Sequence, residues 1–463
     1  MKFNKIFRNT YKYMGPSVLI AMVATMLGFT ALFVSPVPMI ADFGKTLTLG
    51  LMVSFFAALI ILTTSLHIKD KYFCGDIDTG ACDMPRENKW LEIMLAKLAR
   101  AVLSKRYWIL ALCVAITVLG FAGDANVGVQ TDIETFMPQD TPELIEIREF
   151  RDLMGATDQL SIMVQSPDLL NIEQLTWLET VTAEVEAEFA DIVESTVSLI
   201  GLYHETANNG TLSEANVANF LADLPETQRK LFIDEEQQTT MITLNIARLE
   251  NDSLQDFISD LRQYLADHAL ADVESTVTGQ AVIDAEMMSA LTGGRLEMSL
   301  MGIGLVFVGL LLIYRSFLKA VAPVFPIGLI IGWSGGAMYL LGIDYTPLTA
   351  TMGALIIGIG TEFTILMMER YFEEKEKGSS KEEAMITTVK KIGKPILASA
   401  LTTIGGFSAL VFSDFIILRE FGIVTLLNIT FCLISTLIVL PPLIVILDKK
   451  QSPPIPSVNP PTN

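Results

Sequence analysis

The sequence predicts a polytopic α-helical membrane protein with about eight transmembrane helices and one extracytoplasmic α+β domain of ferredoxin-like strand order. Three observations predict it. Of 463 residues, 51% are hydrophobic, and the mean hydropathy is +0.47. Apolar runs of roughly 20 residues, the length that crosses about 30 Å of hydrocarbon, recur eight times. One long polar interval interrupts them and alternates strand and helix patterns.

The runs lie near 15–35, 43–67, 107–123, 298–315, 318–341, 347–369, 394–413 and 420–447. They divide the chain into two spans over 1–68, a loop over 69–106, a single span over 107–123, the polar domain over 124–296, a five-helix bundle over 297–447, and a Pro-rich tail over 448–463 expected to be disordered. Residues 88–108 form a basic amphipathic pattern, read as an interfacial elbow. No cleavable signal peptide is evident.

Lys and Arg gather at one set of span ends: Lys2, Lys5, Arg8 and Lys12, eight residues from Lys69 to Arg106, Arg315 and Lys319, seven from Arg370 to Lys394, then Lys449 and Lys450. The positive-inside rule makes these segments cytoplasmic, both termini included, and puts 124–296 outside a multi-pass cell membrane protein. That interval holds 33 acidic and 7 basic residues, more than accounting for the chain's net charge of −20. Its acidity is that of a solvated domain and argues against a nucleic-acid partner.

Within the domain, "DQLSIMVQS" (158–166) alternates as a strand, and "NIEQLTWLETVTAEVEAEF" (171–189) follows as an amphipathic helix. A strand at 191–199, an insert with helical stretches, a strand at 237–249, a helix at 253–268 and a strand at 272–279 complete the order β-α-β-β-α-β, the ferredoxin-like split unit.

An internal repeat organises the membrane part. Shifted by 378 positions, Thr25 falls on Thr403, Gly28-Phe29 on Gly406-Phe407, Ala31-Leu32 on Ala409-Leu410, Ser35 on Ser413 and Phe43-Gly44 on Phe421-Gly422. Parallel repeats of this kind occur in transporters, with the functional site at their interface. The second copy follows a polar domain and an acidic helix, whereas the first opens almost at Met1, so the expectation is one complete six-span unit preceded by the last two spans of another.

The stretches "VQTDIETFMPQDTPE" (129–143), "VTGQAVIDAEM" (277–287), "GIGTEFTILMMERYFEEKEKG" (358–378) and "ILASALTTIGGFSALVFSDFIILREFGIV" (396–424) resemble the resistance-nodulation-division (RND) superfamily of proton-driven exporters. The resemblance is to its hydrophobe/amphiphile efflux, MMPL-like and Patched-like branch, and it covers nearly the whole chain. It implies a porter role for the polar domain, and two six-span halves of which most of the first is missing here.

Glu362 stands well inside an apolar run. A carboxylate at bilayer depth is costly, so it is expected to face the bundle, neutral or paired, where it can load and release a proton. Gly358 to Glu362 fits the family's G-x-x-x-[DE] pattern, and Gly358 and Gly360 are expected to permit close helix packing near the relay. Ser399, Thr402 and Thr403, spaced i, i+3, i+4 on one face of the next span, are the expected proton-relay partners. The competing reading is that these hydroxyls bond back to their own helix.

Other features read as structural. Gly332, Ser334, Gly335 and Gly336 form a small-residue packing face. Ser380 and Glu383 make a capping box for a second cytoplasmic helix leading to the span at 394. Glu369 and Arg370 read as a solvated cluster. Cys113 and Cys432 lie in spans, Cys74 and Cys82 in a reducing loop, and His67, His204 and His268 are scattered, so neither a disulfide framework nor a metal site is expected. "NGT" and "NDS" match glycosylation acceptors by chance. No phosphate loop is present, so proton coupling without a cofactor is the expected energy source.

Together these features predict a non-enzymatic secondary transporter or half-transporter, driven by the proton-motive force and exporting a hydrophobic or lipid-like substrate. Its partners would be the bilayer, that substrate, and a companion chain carrying the missing half or further copies of itself. Two other readings compete with it: a degenerate or split membrane subunit acting as a scaffold, and a Sec-type protein-export auxiliary.

Overall fold

The computed structural model describes residues 2–72, 89–130, 136–146, 149, 158–206, 211–234, 238–247, 249 and 251–448. Cys74, Cys82, the start of "NGT" and the Pro-rich tail lie outside the described residues. The chain divides into two compact units, 1–138 with 290–463, and 139–289.

The membrane unit contains α1 (Lys2–Thr30), α2 (Pro38–Tyr72), α3 (Lys89–Ser104) and α4 (Arg106–Asp124). Among the described residues, eight helical stretches are long and apolar enough to cross a membrane, matching the eight runs in the sequence. The expected elbow is two helices, because Lys105 breaks the path between α3 and α4. Leu95, Ala99, Val102 and Leu103 bury one face of α3, while Trp90, Ile93 and Met94 remain exposed on it.

The inserted unit begins with β1 (Asp158–Gln165), α5 (Ile172–Glu188) and β2 (Val193–Val197). Three short helices follow, α6 (Leu199–Thr206), α7 (Glu214–Asp223) and α8 (Glu226–Phe232). Then come β3 (Ile233–Asp234), β4 (Thr239–Ile246), α9 (Asn251–Asp267) and β5 (Glu274–Thr278). The sheet order is β2-β4-β1-β5 with every neighbour antiparallel, and β3 pairs β4. This is the ferredoxin-like arrangement. Alternation sets one sheet face inward through Leu160, Ile162 and Val164 of β1 and Ile242, Leu244 and Ile246 of β4. Leu175, Leu178, Val181 and Val185 of α5 and Leu254, Phe257, Ile258 and Leu261 of α9 recur at helical spacing and join that core. Burying each such side chain stabilises the unit by about 1.5–3 kcal/mol. Asn171 starts α5 by accepting from the Glu173 amide at 3.0 Å.

The remaining elements are α10 (Gln280–Tyr314), α11 (Phe317–Leu341), α12 (Met352–Glu376), α13 (Lys381–Ser408), α14 (Ile416–Ile434) and α15 (Leu440–Leu447). A π-helical turn at Ser435–Val439 joins the last two. Ser380 caps α13 as expected, its hydroxyl meeting the Glu383 carboxylate at 2.9 Å. No separate helix precedes the span, however: α13 runs unbroken through Pro395. The small-residue face of α11 does pack closely. A Cβ on Gly336 would come within 2.7 Å of the Gly120 Cα, and one on Gly332 within 2.8 Å of Thr117 Cγ2.

Candidate functional site

Glu362 sits in the middle of α12, the most enclosed span of the bundle. Gly360 lets α12 approach α11 and α14, since a Cβ there would lie 3.3 Å from Ile327 Cγ1 and 3.5 Å from Cys432 Sγ. On another side Gly358 meets α1: a Cβ would lie 2.9 Å from Phe29 Cε1 and 3.0 Å from Thr25 Cγ2. Both glycines stand at close contacts between helices. The flanking Thr361 and Thr364 are buried and bond back to carbonyls of their own helix, at 2.8 Å to Gly358 and 2.9 Å to Gly360.

Glu362 itself departs from expectation. From Met352 to Tyr371 it is the one exposed residue by whole-residue accessibility, at the side of α12 that its neighbouring helices cover least. The cause is the packing of α12: α1, α11, α13 and α14 cover the rest of its circumference. Among the described residues no hydrogen bond joins Glu362 to Ser399, Thr402 or Thr403. Ser399 and Thr402 are exposed and Thr403 half-buried. Both threonine hydroxyls donate to the Ser399 carbonyl, at 2.8 and 2.9 Å.

Two charged clusters escaped the sequence reading. At one end of the membrane unit, Asp124 closes α4, and Arg295 of α10 grips it bidentately at 3.1 and 2.8 Å. Tyr345 completes the cluster, donating to Asp124 Oδ1 at 2.5 Å and accepting from Arg295 at 2.8 Å. The guanidinium stacks 4.0 Å over the tyrosine ring. Burial first, and then the Asp124 carboxylate, hold the phenol protonated well above the usual tyrosine range. A cavity of about 20 Å³, the size of one water, adjoins Arg295, Ser299, Ser334 and Thr349. The only sequence signal was one acid and one base at the ends of successive spans.

The second cluster corrects the solvated reading of the end of α12. Glu374 is buried and receives Arg370, together with Lys377 and Lys391, each at 3.1 Å. Asp448, just past α15, is buried as well. It takes the Tyr371 hydroxyl at 2.8 Å and the Lys375 ammonium, while its carbonyl accepts from Lys381. These bonds fasten α12, α13 and α15 together. Among the described residues no group of His, Cys, Asp and Glu could hold a metal ion.

The fold and this helix set can be placed among known proteins. The sequence profile of the MMPL family matches residues 174–459, more than half of the chain. The membrane protein MJ1562 of Methanocaldococcus jannaschii is 28% identical over 374 residues, which cover 78% of this chain and 96% of that one. The transport protein MmpL12 of Mycobacterium tuberculosis is 23% identical over 289 residues, 58% of this chain and 25% of the other. The hedgehog release protein Disp of the water bear Hypsibius dujardini superposes with a TM-score of 0.72 at 13% identity, over 96% of this chain and 60% of Disp. The chain thus spans nearly all of the archaeal relative but only a quarter of the mycobacterial one. With the matched profile, the eight spans and the ferredoxin-like insert in agreement, the chain belongs to the MMPL family, in the RND superfamily that its motifs resemble.

Proposed function

We propose that this chain is a secondary exporter, or the larger part of one, that uses the proton-motive force to move a hydrophobic or amphiphilic, lipid-like molecule outward across the cell membrane. Both termini are cytoplasmic in this reading, and the inserted unit lies outside as the substrate-guiding porter domain. The observation that carries it is Glu362, the single exposed residue along some twenty residues of the most enclosed span. An ionised group at bilayer depth costs at least about 2.5–3.5 kcal/mol. A chain retains that cost where the carboxyl exchanges a proton between two environments. Ser399, Thr402 and Thr403 present hydroxyls able to bond a carboxyl in either protonation state, and they serve the relay from the adjoining helix.

The test is reconstitution into vesicles with an imposed proton gradient, reading export of a fluorescent amphiphile together with internal pH. Glu362→Gln keeps the shape and removes the titratable group. Loss of proton-coupled export in that variant is the expected result, and unchanged coupling overturns the relay assignment. A second reading, a subunit that works only beside a companion chain, is favoured by the lack of any partner for Glu362 among the described residues. Activity that appears only on co-reconstitution with a companion selects that reading.

A further inference from the structure

The two faces of α3 meet different surroundings. Leu95, Ala99, Val102 and Leu103 are buried, and on that side the helix rests on α13. A Cβ on Gly393 of α13 would lie 3.0 Å from Leu95 Cδ1, and Glu92 receives the Lys390 ammonium at 3.1 Å. The opposite face is open. Trp90, Ile93, Met94, Lys97 and Arg100 recur there at helical spacing, and all are exposed.

Their order along the helix gives this face its chemistry. The first turns present Trp90, Ile93 and Met94, and the following ones present Lys97 and Arg100, with Lys105 exposed just beyond. Trp90 lies about 10 Å from Lys97 at the helical rise. Glu92, the acid of this helix, already holds Lys390. Arg106 is engaged as well, lying 5.4 Å over the Tyr107 ring and 3.5 Å from Glu382. Among the described residues no acid pairs with Lys97, Arg100 or Lys105.

The connection to α4 sets the level of the face. That span begins at Arg106, directly after Lys105, and its first turn exposes Tyr107 and Trp108. Aromatic rings at the end of a span sit among lipid headgroups, so headgroups lie beside this elbow.

We propose that the open face of α3 binds an anionic phospholipid, whose charged headgroup meets Lys97 and Arg100 and whose glycerol and upper acyl chains lie against Trp90, Ile93 and Met94. Charge complementarity selects the occupant: the unpaired cations attract a headgroup of net negative charge, whereas the ammonium of a zwitterionic lipid offsets that attraction. An acidic protein surface is disfavoured, because Tyr107 and Trp108 hold the elbow at headgroup depth. The inference goes beyond the exporter reading and is independent of it, since neither Glu362 nor flux enters its test.

The full chain is reconstituted in phosphatidylcholine vesicles containing increasing fractions of phosphatidylglycerol with brominated acyl chains, which quench nearby tryptophans. A parallel series uses brominated phosphatidylcholine. The part of the quenching that Trp90→Phe removes reports on the site. It should saturate at a mole fraction of phosphatidylglycerol at least tenfold lower than that of phosphatidylcholine, each cation contributing about fivefold. Raised salt should weaken the preference. Lys97→Gln with Arg100→Gln should abolish it, while the charge-keeping pair Lys97→Arg with Arg100→Lys should retain it. Lys230→Gln, at an exposed cation of α8, should leave it unchanged, and unaltered melting temperatures show that the variants fold. Equal quenching by the two lipids, or a preference that survives the loss of both cations, overturns the site. Absence of Trp90 quenching by either lipid places protein or water against the face and overturns it too.

Discussion

Arg295 and Asp124, 171 residues apart in the sequence, form a bidentate ion pair at 2.8 and 3.1 Å that joins α10 to the end of α4. Both side chains are largely enclosed, so solvent screens the pair little. Removing one partner strands the other, which costs about 3–5 kcal/mol for buried pairs. Asp124→Asn is therefore expected to lower the melting temperature sharply. The double variant Asp124→Asn with Arg295→Met should recover part of the loss. A double variant as unstable as the sum of the two single ones argues against direct coupling.

The glycines of the spans are not equivalent, and the sign of Gly→Ala should follow the space around each. A Cβ on Gly120 of α4 would overlap the Gly332 carbonyl of α11, a backbone atom that cannot swing aside. Gly120→Ala is expected to cost about 1–3 kcal/mol by overpacking. Gly304 of α10 has nothing within 4 Å. There the same change should be neutral or stabilise by about 0.5–1 kcal/mol through backbone entropy. Thermal melts of the two variants in one detergent decide it, and equal shifts would refute the packing argument.

How much of this was legible in advance depended on the range of the interaction. The eight spans and the β-α-β-β-α-β order were readable because hydropathy and periodicity are local, as with Leu160, Ile162 and Val164 alternating into the core. Glu362 stood out by chemistry alone. Its direction did not, since that is set by which helices cover α12, and the Thr25 to Gly358 bond spans 333 residues. Asp124, Glu374 and Asp448 looked like ordinary charges at span ends. Only the assembled bundle brings Arg295, Lys391 and Lys375 to them.

In the inserted unit, Tyr264 donates to Glu184 Oε2 at 2.5 Å. Burial first, then that bond and the charge beside it, raise the phenol above its ordinary value of 10.0. A raised folded value means the folded state holds the proton more tightly than the unfolded chain does. Its contribution is therefore fully present below about pH 10 and is lost as pH climbs toward the folded value. The stability gap between the wild type and Tyr264→Phe should be constant from pH 7 to 9 and narrow above 10. A gap that stays constant through pH 11 contradicts the assignment.

Asp448 anchors the end of α15 to α12 through the Tyr371 hydroxyl, at 2.8 Å, and through Lys375. Its side chain is 3% exposed and that of Lys375 12%, so the pair counts as buried. Asp448→Asn is expected to cost about 3–5 kcal/mol. Tyr371→Phe loses one hydrogen bond and should cost about 1–3 kcal/mol. Limited proteolysis near the C-terminal end should quicken in step with those losses. Unchanged cleavage would show that α15 is held by its apolar contacts alone.

Asn428 of α14 is 2% exposed, and among the described residues neither its amide nitrogen nor its amide oxygen has a hydrogen-bond partner. It lies on one face with Thr425 and Cys432, the face that reaches Met352 and Gly360 of α12. A buried amide without partners costs about 1–3 kcal/mol, and replacing it with an apolar side chain of similar size removes that penalty. Asn428→Leu is therefore expected to raise the melting temperature while leaving the secondary structure unchanged. Asn428→Asp, which buries a charge at the same place, should lower it. If Asn428→Leu instead destabilises the protein by a comparable amount, the amide is satisfied in the membrane by bound water.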